Sequence, residues 1–120
     1  MTGVPEAPAG VPVGTPAAVV VFIAIPAALA PTLARTLVEE GRAACVNCLP
    51  GVRSTYTWAG RVEEAEEALL VAKTTAAAYA ALERRVRELH PYDVPEVLAV
   101  PVAAGFGPYL EWLNRSVTAA

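Results

Sequence analysis

The side chains able to do chemistry fall into three short stretches of this chain. Cys45 and Cys48 form a C-x-x-C. In a turn, two thiolates at that spacing close on a soft metal ion. Here they lie in an extended stretch, where residues three apart point to opposite faces, so joint chelation needs a bulge. Free cysteines are also among the most buried residue types, and packing as small hydrophobes is the competing reading. Glu63, Glu64, Glu66 and Glu67 form a dense acidic cluster. Carboxylate oxygens attract divalent cations, and a solvated hairpin surface accounts for the same cluster without one. Alternation puts Glu67 on the same face as Lys73.

His90 is the only histidine. It ends a helical pattern, where an imidazolium suits the helix dipole, and Pro91 fixes its backbone beside Tyr92. It is a candidate metal ligand or proton donor in a cleft. A ring hydrogen-bonded at a subunit seam is the alternative. Tyr56, Trp58 and Tyr92 are aromatics beside polar groups, suited to wall a ligand pocket or to pack an interface. The sequence shows no Ser/His/acid set at a recognisable elbow, no phosphate-binding glycine loop and no H-E-x-x-H; Leu49-Pro50-Gly51-Val52 reads as a bend. No enzymatic activity is expected.

Bulk properties narrow the classes further. The net charge of -3 offers no basic stripe, so nucleic acid is not an expected partner. The chain is 120 residues, 55% hydrophobic and 18% charged, which suits one domain with apolar surface left for subunit contacts. Two cysteines are too few for a disulfide framework. The longest apolar run, Ala17 to Ala34, is broken by Pro26 and Pro31, so no membrane span is expected. No Lys or Arg precedes Arg35, so a secretory n-region is not expected either, and the expected location is cytoplasmic.

Residues 1–16 alternate proline with glycine and are expected to be a disordered leader before one domain, 17–120. Ala18 to Ile25 is a β-branched run expected to form a central strand buried on both faces. A helix should follow from Ala27 to Glu40, with Leu29, Leu33 and Leu37 on one stripe and Gly41 as its stop. A strand is expected over Ala44–Trp58, interrupted at Pro50-Gly51, beyond which Val52, Ser54, Tyr56 and Trp58 share a face. Ala59-Gly60 signals a hairpin into a strand over Arg61–Thr74. Thr75 should cap a helix over Ala76–Leu89 whose stripe is Tyr79, Leu82, Val86 and Leu89. An edge strand over Val97–Ala103 and a helix over Tyr109–Val117 complete the order β-α-β-β-α-β-α. Two interleaved βαβ units around a hairpin predict an α/β fold of the ferredoxin-like type, with helices on one face. A fifteen-residue strand spans roughly 50 Å, whereas a domain of this size is about 33 Å across. The long hairpin must bend, project, or pair with another subunit, and closed-ring pairing removes an exposed edge.

The segments AACVNCLPGVRSTYTWAGRVEEAEEALLVAKT and HPYDVPEVLAVPV resemble the CutA-type divalent-cation tolerance proteins. Ala-Ala-Cys-Val-Asn, Pro-Gly-Val, Tyr-x-Trp-x-Gly, Leu-x-x-Lys-Thr and His-Pro-Tyr-x-x-Pro-Glu occur in that order, and the resemblance spans about Val19 to Val117. It implies a homotrimer of ferredoxin-like subunits with hairpins paired between neighbours, similar to PII-type signalling proteins. It also implies a link to divalent metal tolerance, copper in particular. Some members use a cysteine in the first strand and paired histidines before the Pro-Tyr as copper ligands. Those places here are Ile23 and, for the first histidine, Leu89, which leaves His90. The metal ligands expected on this footing are His90, Cys45 and Glu67, for Cu(II) or another divalent ion, with no metal required for folding. A small-molecule cleft at the subunit interface, near Tyr56, Trp58, Lys73 and Tyr92, is the second expectation. A scaffold binding nothing small is the third.

Overall fold

Period-two burial builds the first strand, β1 (Ala18–Ile25). The computed structural model describes residues 18–118, so the expected leader lies outside the described residues. Val19, Val21, Ile23 and Ile25 are buried, while Val20 and Phe22 are only half-buried. The strand is central, as its apolar run predicts. Within one chain, however, it is sealed on one face and not on both.

Pro26 leads into a single 3₁₀ turn, Ala27–Leu29, and then into α1 (Ala30–Glu39), with Pro31 in its first turn. Leu33 and Leu37 are buried, but Leu29 sits in the 3₁₀ turn, off the helical stripe, and is exposed. The helix stops in a Schellman geometry. Gly41 N–H donates to Val38 O at 3.1 Å and Arg42 N–H to Leu37 O at 2.8 Å. Gly41 takes φ 72°, the left-handed conformation that this cap requires.

The long hairpin is β2 (Cys45–Trp58) with β3 (Arg61–Thr75). Its register slips between Leu49 and Val52, where Gly51 takes φ 71°. This bulge has a structural consequence. Before it, odd-numbered residues of β2 share a face with Lys73; after it, even-numbered residues share that face with Glu67. Ala59 and Gly60 both have positive φ, 53° and 76°, giving a two-residue turn whose twist matches the strands.

Thr75 accepts the Ala78 N–H through its hydroxyl at 3.1 Å, holding a turn before α2 (Tyr79–Leu89). The helix begins three residues later than its composition suggests. Its buried stripe is Ala78, Leu82, Val86 and His90, spaced four apart. Leu89, one position off that stripe, is exposed. β4 (Val97–Pro101) is an edge strand, which tolerates Pro101, and α3 (Gly107–Ser116) follows.

The sheet order is β2-β3-β1-β4, and every neighbouring pair is antiparallel. β3 therefore lies between β1 and β2, and β1 between β3 and β4, which is the interleaved βαβ arrangement of the ferredoxin-like fold. Helices α1 and α2 cover one face. Val21, Ile23, Ile25, Leu37, Leu70, Leu82 and Val86 are fully buried there, each stabilising the fold by roughly 1.5–3 kcal/mol relative to exposure. The third helix departs from the one-face expectation. It packs chiefly on β1 and β3, and its buried Leu110 and Leu113 stand outside the main core. Burial, and then the nearby Cys45, raise the Tyr109 hydroxyl above its usual range. Cys45 is on the second face, so α3 closes part of that face.

The rest of the second face is open. Leu49, Leu98 and Val100 are exposed and flank half-buried Val20, Phe22 and Val71. β1 pairs with β3 only as far as Ala68, so the distal part of β3 runs on past the sheet with β2 alone as its neighbour. The long axis reaches 46 Å, and the radius of gyration is 16.0 Å, against about 13 Å for a compact chain of this size.

Candidate functional site

The site starts where β1 stops covering β3. Ile25 pairs with Ala68, and the next residue outward, Glu67, turns its carboxylate to the second face. Glu67 is 5% exposed. Tyr92 donates its hydroxyl to Glu67 Oε2 at 3.0 Å. Among the described residues, no Lys, Arg or His nitrogen comes within 4.0 Å of that carboxylate. A buried carboxylate without a cation is costly, and the Tyr92 hydroxyl offsets part of that cost.

His90 positions Tyr92. The backbone N–H of Tyr92 donates to His90 Nδ1 at 3.2 Å, so Nδ1 is the acceptor and the proton sits on Nε2. Nε2–H donates to Ala24 O at 2.7 Å. The ring is 7% exposed and lies 4.7 Å, centroid to centroid, from that of Tyr92. Both ring nitrogens are thus spent on backbone. Burial, then the hydrogen bond to Glu67, push the Tyr92 hydroxyl above its usual range, which keeps it a donor.

A cleft of about 710 Å³ opens over this assembly. Tyr56, Trp58 and Tyr92 wall it, with Ser54 and Thr55 beside them. Asp93 and Glu96 add two carboxylates to that of Glu67, and among the described residues no Lys or Arg lines the cleft. The bulge at Gly51 is what brings Tyr56 and Trp58 to the face of Glu67. Asp93 and Glu96 were not singled out from the sequence. The acidic residues of Asp-Val-Pro-Glu, set directly after His-Pro-Tyr, were the available signal.

The other expected site residues lie elsewhere. Lys73 donates to Asn47 Oδ1, and its Nζ lies 3.9 Å from Cys45 Sγ. Lys73 lies six positions along β3 from Glu67, about 20 Å at the usual strand rise. Within one chain, Lys73 does not join Tyr56, Trp58 and Tyr92, and Cys45 does not join His90 and Glu67. Cys48 pairs with Leu70, on the face opposite Cys45, and no bulge intervenes, so the C-x-x-C cannot chelate jointly. Glu64 and Glu66 turn away from the cleft and meet Arg53 at 3.1 and 3.8 Å. Among the described residues, no group of three or more His, Cys, Asp or Glu is placed to hold a metal ion. His90, Cys45 and Glu67 therefore do not fit a single metal centre within one chain.

The profile of the CutA1 divalent ion tolerance protein family matches residues 19–116. The chain belongs to this family. The divalent-cation tolerance protein CutA of Thermus thermophilus is 50% identical over 98 residues, covering 81% of this chain and 95% of that protein. A solved structure of the Thermus protein superposes with a TM-score of 0.83 at 48% identity, over 84% of this chain and 99% of that one. The PII-like protein CutA from Nostoc sp. PCC 7120 superposes at 0.81 with 32% identity, over 85% and 99%. Plant and vertebrate relatives are longer, and the chain spans about half of their length. Ile23, where the resemblance expected a ligand in some CutA proteins, is sealed in the core here. No helix among the described residues is long and apolar enough to cross a membrane.

Proposed function

We propose that this chain works as a homotrimeric, non-enzymatic divalent-cation tolerance protein that holds a divalent ion at modest affinity in the Glu67 cleft. One observation carries the reading: a carboxylate nine-tenths buried, without a cationic partner among the described residues, facing an open cleft. Glu67 supplies the charge, and Asp93 and Glu96 lower the potential around it. The donors are oxygens, so the ion keeps part of its water shell and binds more weakly than in a closed cage. Copper(II) is accommodated as one such ion. His90 acts through Tyr92, by orienting the hydroxyl that touches Glu67. Cys45 sits apart with Lys73 and is a separate, softer contact point.

The trimer is supported by the half-covered second face and by the free edge of the distal hairpin. A neighbouring copy buries Leu98, Val100 and Leu49 and pairs the edge, which a closed ring does without leaving an open end. Two free cysteines that point to opposite faces suit the reducing cytoplasm. Light scattering of the full chain, followed by calorimetric titration of Cu(II) into that species and into Glu67→Gln, tests the proposal. A trimer whose isotherm weakens on the order of tenfold in the variant supports it. A monomer, or an isotherm indifferent to Glu67, overturns it.

A further inference from the structure

The walls of the Glu67 cleft suit more than an inorganic ion. A liquid water occupies about 30 Å³, so an ion with six waters fills on the order of 200 Å³, well under half of the 710 Å³ available. The remaining wall is aromatic. Tyr56, Trp58 and Tyr92 present three rings, and ring faces attract a positive charge that carries an apolar body. The carboxylates of Glu67, Asp93 and Glu96 exclude an anion, since no lining Lys or Arg offsets them. Lys73, which would have served an anionic ligand, is held within the same chain by Asn47 at the far end of the sheet. The one arginine that shares the face of Trp58 across the hairpin, Arg61, lies at the tip and outside the lining.

We propose that the Glu67 cleft takes a small organic ammonium ion, its charged nitrogen against the Glu67 carboxylate and its alkyl groups against Tyr56, Trp58 and Tyr92. This rests on the reading of the cleft as the cation-binding site and names a second class of occupant, in competition with the divalent ion. Glu67 is suited to the task because its Oε2 is already oriented by Tyr92. Desolvation strengthens its attraction for a weakly hydrated cation, whereas a strongly hydrated metal ion must give up water to approach as closely.

The test is calorimetric titration of the full-length protein with choline chloride. Its uncharged isostere 3,3-dimethylbutan-1-ol is titrated alongside, as is Cu(II). Glu67→Gln, which keeps an acceptor for the Tyr92 hydroxyl, is run beside the native chain, with its melting curve as the check on folding. Choline should bind saturably, at least tenfold tighter than the neutral isostere, and lose on the order of tenfold in Glu67→Gln. Excess choline should shift the Cu(II) isotherm to higher concentration. Equal binding of choline and the alcohol means an apolar groove without charge recognition and overturns the proposal. Glu67-dependent copper binding with no choline binding overturns it too, while leaving the metal reading intact. Choline binding without copper binding supports it and removes the metal instead. Silence for both ligands removes the cation cleft altogether.

Discussion

Replacing His90 by alanine separates two roles for this ring, support of the fold and ligation of a metal. In the structure the imidazole bridges Ala24 O and the Tyr92 N–H, at 2.7 and 3.2 Å, while buried among α2 and β1. Its removal strands one buried acceptor and one donor. Each costs about 1–3 kcal/mol if left unsatisfied, and water entering the vacated space offsets part of that. A loss of about 2–4 kcal/mol is expected. For a domain of this size each kcal/mol lowers Tm by about 4–8 °C. The assay is urea denaturation of His90→Ala and the native chain at one protein concentration, because an oligomer's apparent stability depends on concentration. Copper(II) titration of the folded variant completes it. The expected result is a clearly lower midpoint, with residual metal binding that still depends on Glu67. An unchanged midpoint together with abolished metal binding refutes the assignment and makes the ring a ligand.

Two further outcomes follow from particular contacts. Glu40 takes a two-point hydrogen bond from Arg85 at 2.8 and 2.9 Å, which, with the charges of Arg85 and Arg42, holds its carboxyl below the usual range. A depressed folded pKa means stability that is complete above the unfolded value, about 4.3, and lost as pH falls through the lower folded one. Glu40→Gln should therefore melt below the native chain at neutral pH, with the gap closing under acid and narrowing in high salt. A gap that persists at pH 2.5–3, about the foot of the carboxylate range, sinks this account. Ala59 holds φ 53° in the hairpin turn. A left-handed residue with a Cβ is disfavoured by about 1–2 kcal/mol, and glycine's extra freedom in the unfolded chain cancels part of the relief, so Ala59→Gly should stabilise by about 0.5–1 kcal/mol. A lower urea midpoint in the variant contradicts the strain.

Much of the architecture was legible because local patterns report which side of an element is buried. The strand over Ala18–Ile25, the stop at Gly41, the Pro50-Gly51 irregularity and the Ala59-Gly60 turn each follow from short-range sterics, and each is in place, although within one chain the strand is buried on one face and not on both. Opposed faces for Cys45 and Cys48 follow from the same period of two. Where propensity failed, tertiary packing won. Leu89 is a better apolar residue than His90, yet the stripe through Ala78, Leu82 and Val86 reaches the histidine four residues on. The start of α2 moved because Thr75 holds a turn first.

The sequence by itself determined the inventory: the element order, the lone histidine, the acidic and aromatic residues of the hairpin, and the family motifs that bind them into one pattern. The tertiary structure alone decided which of these meet. Strand register sends Lys73 to Cys45 and Asn47 and leaves Glu67 to Tyr92, because a shared face does not imply nearness along a strand. The Ala24 carbonyl, 66 residues away in the chain, is what claims the imidazole. No local period encodes that contact, since it exists only once β1 and α2 have packed.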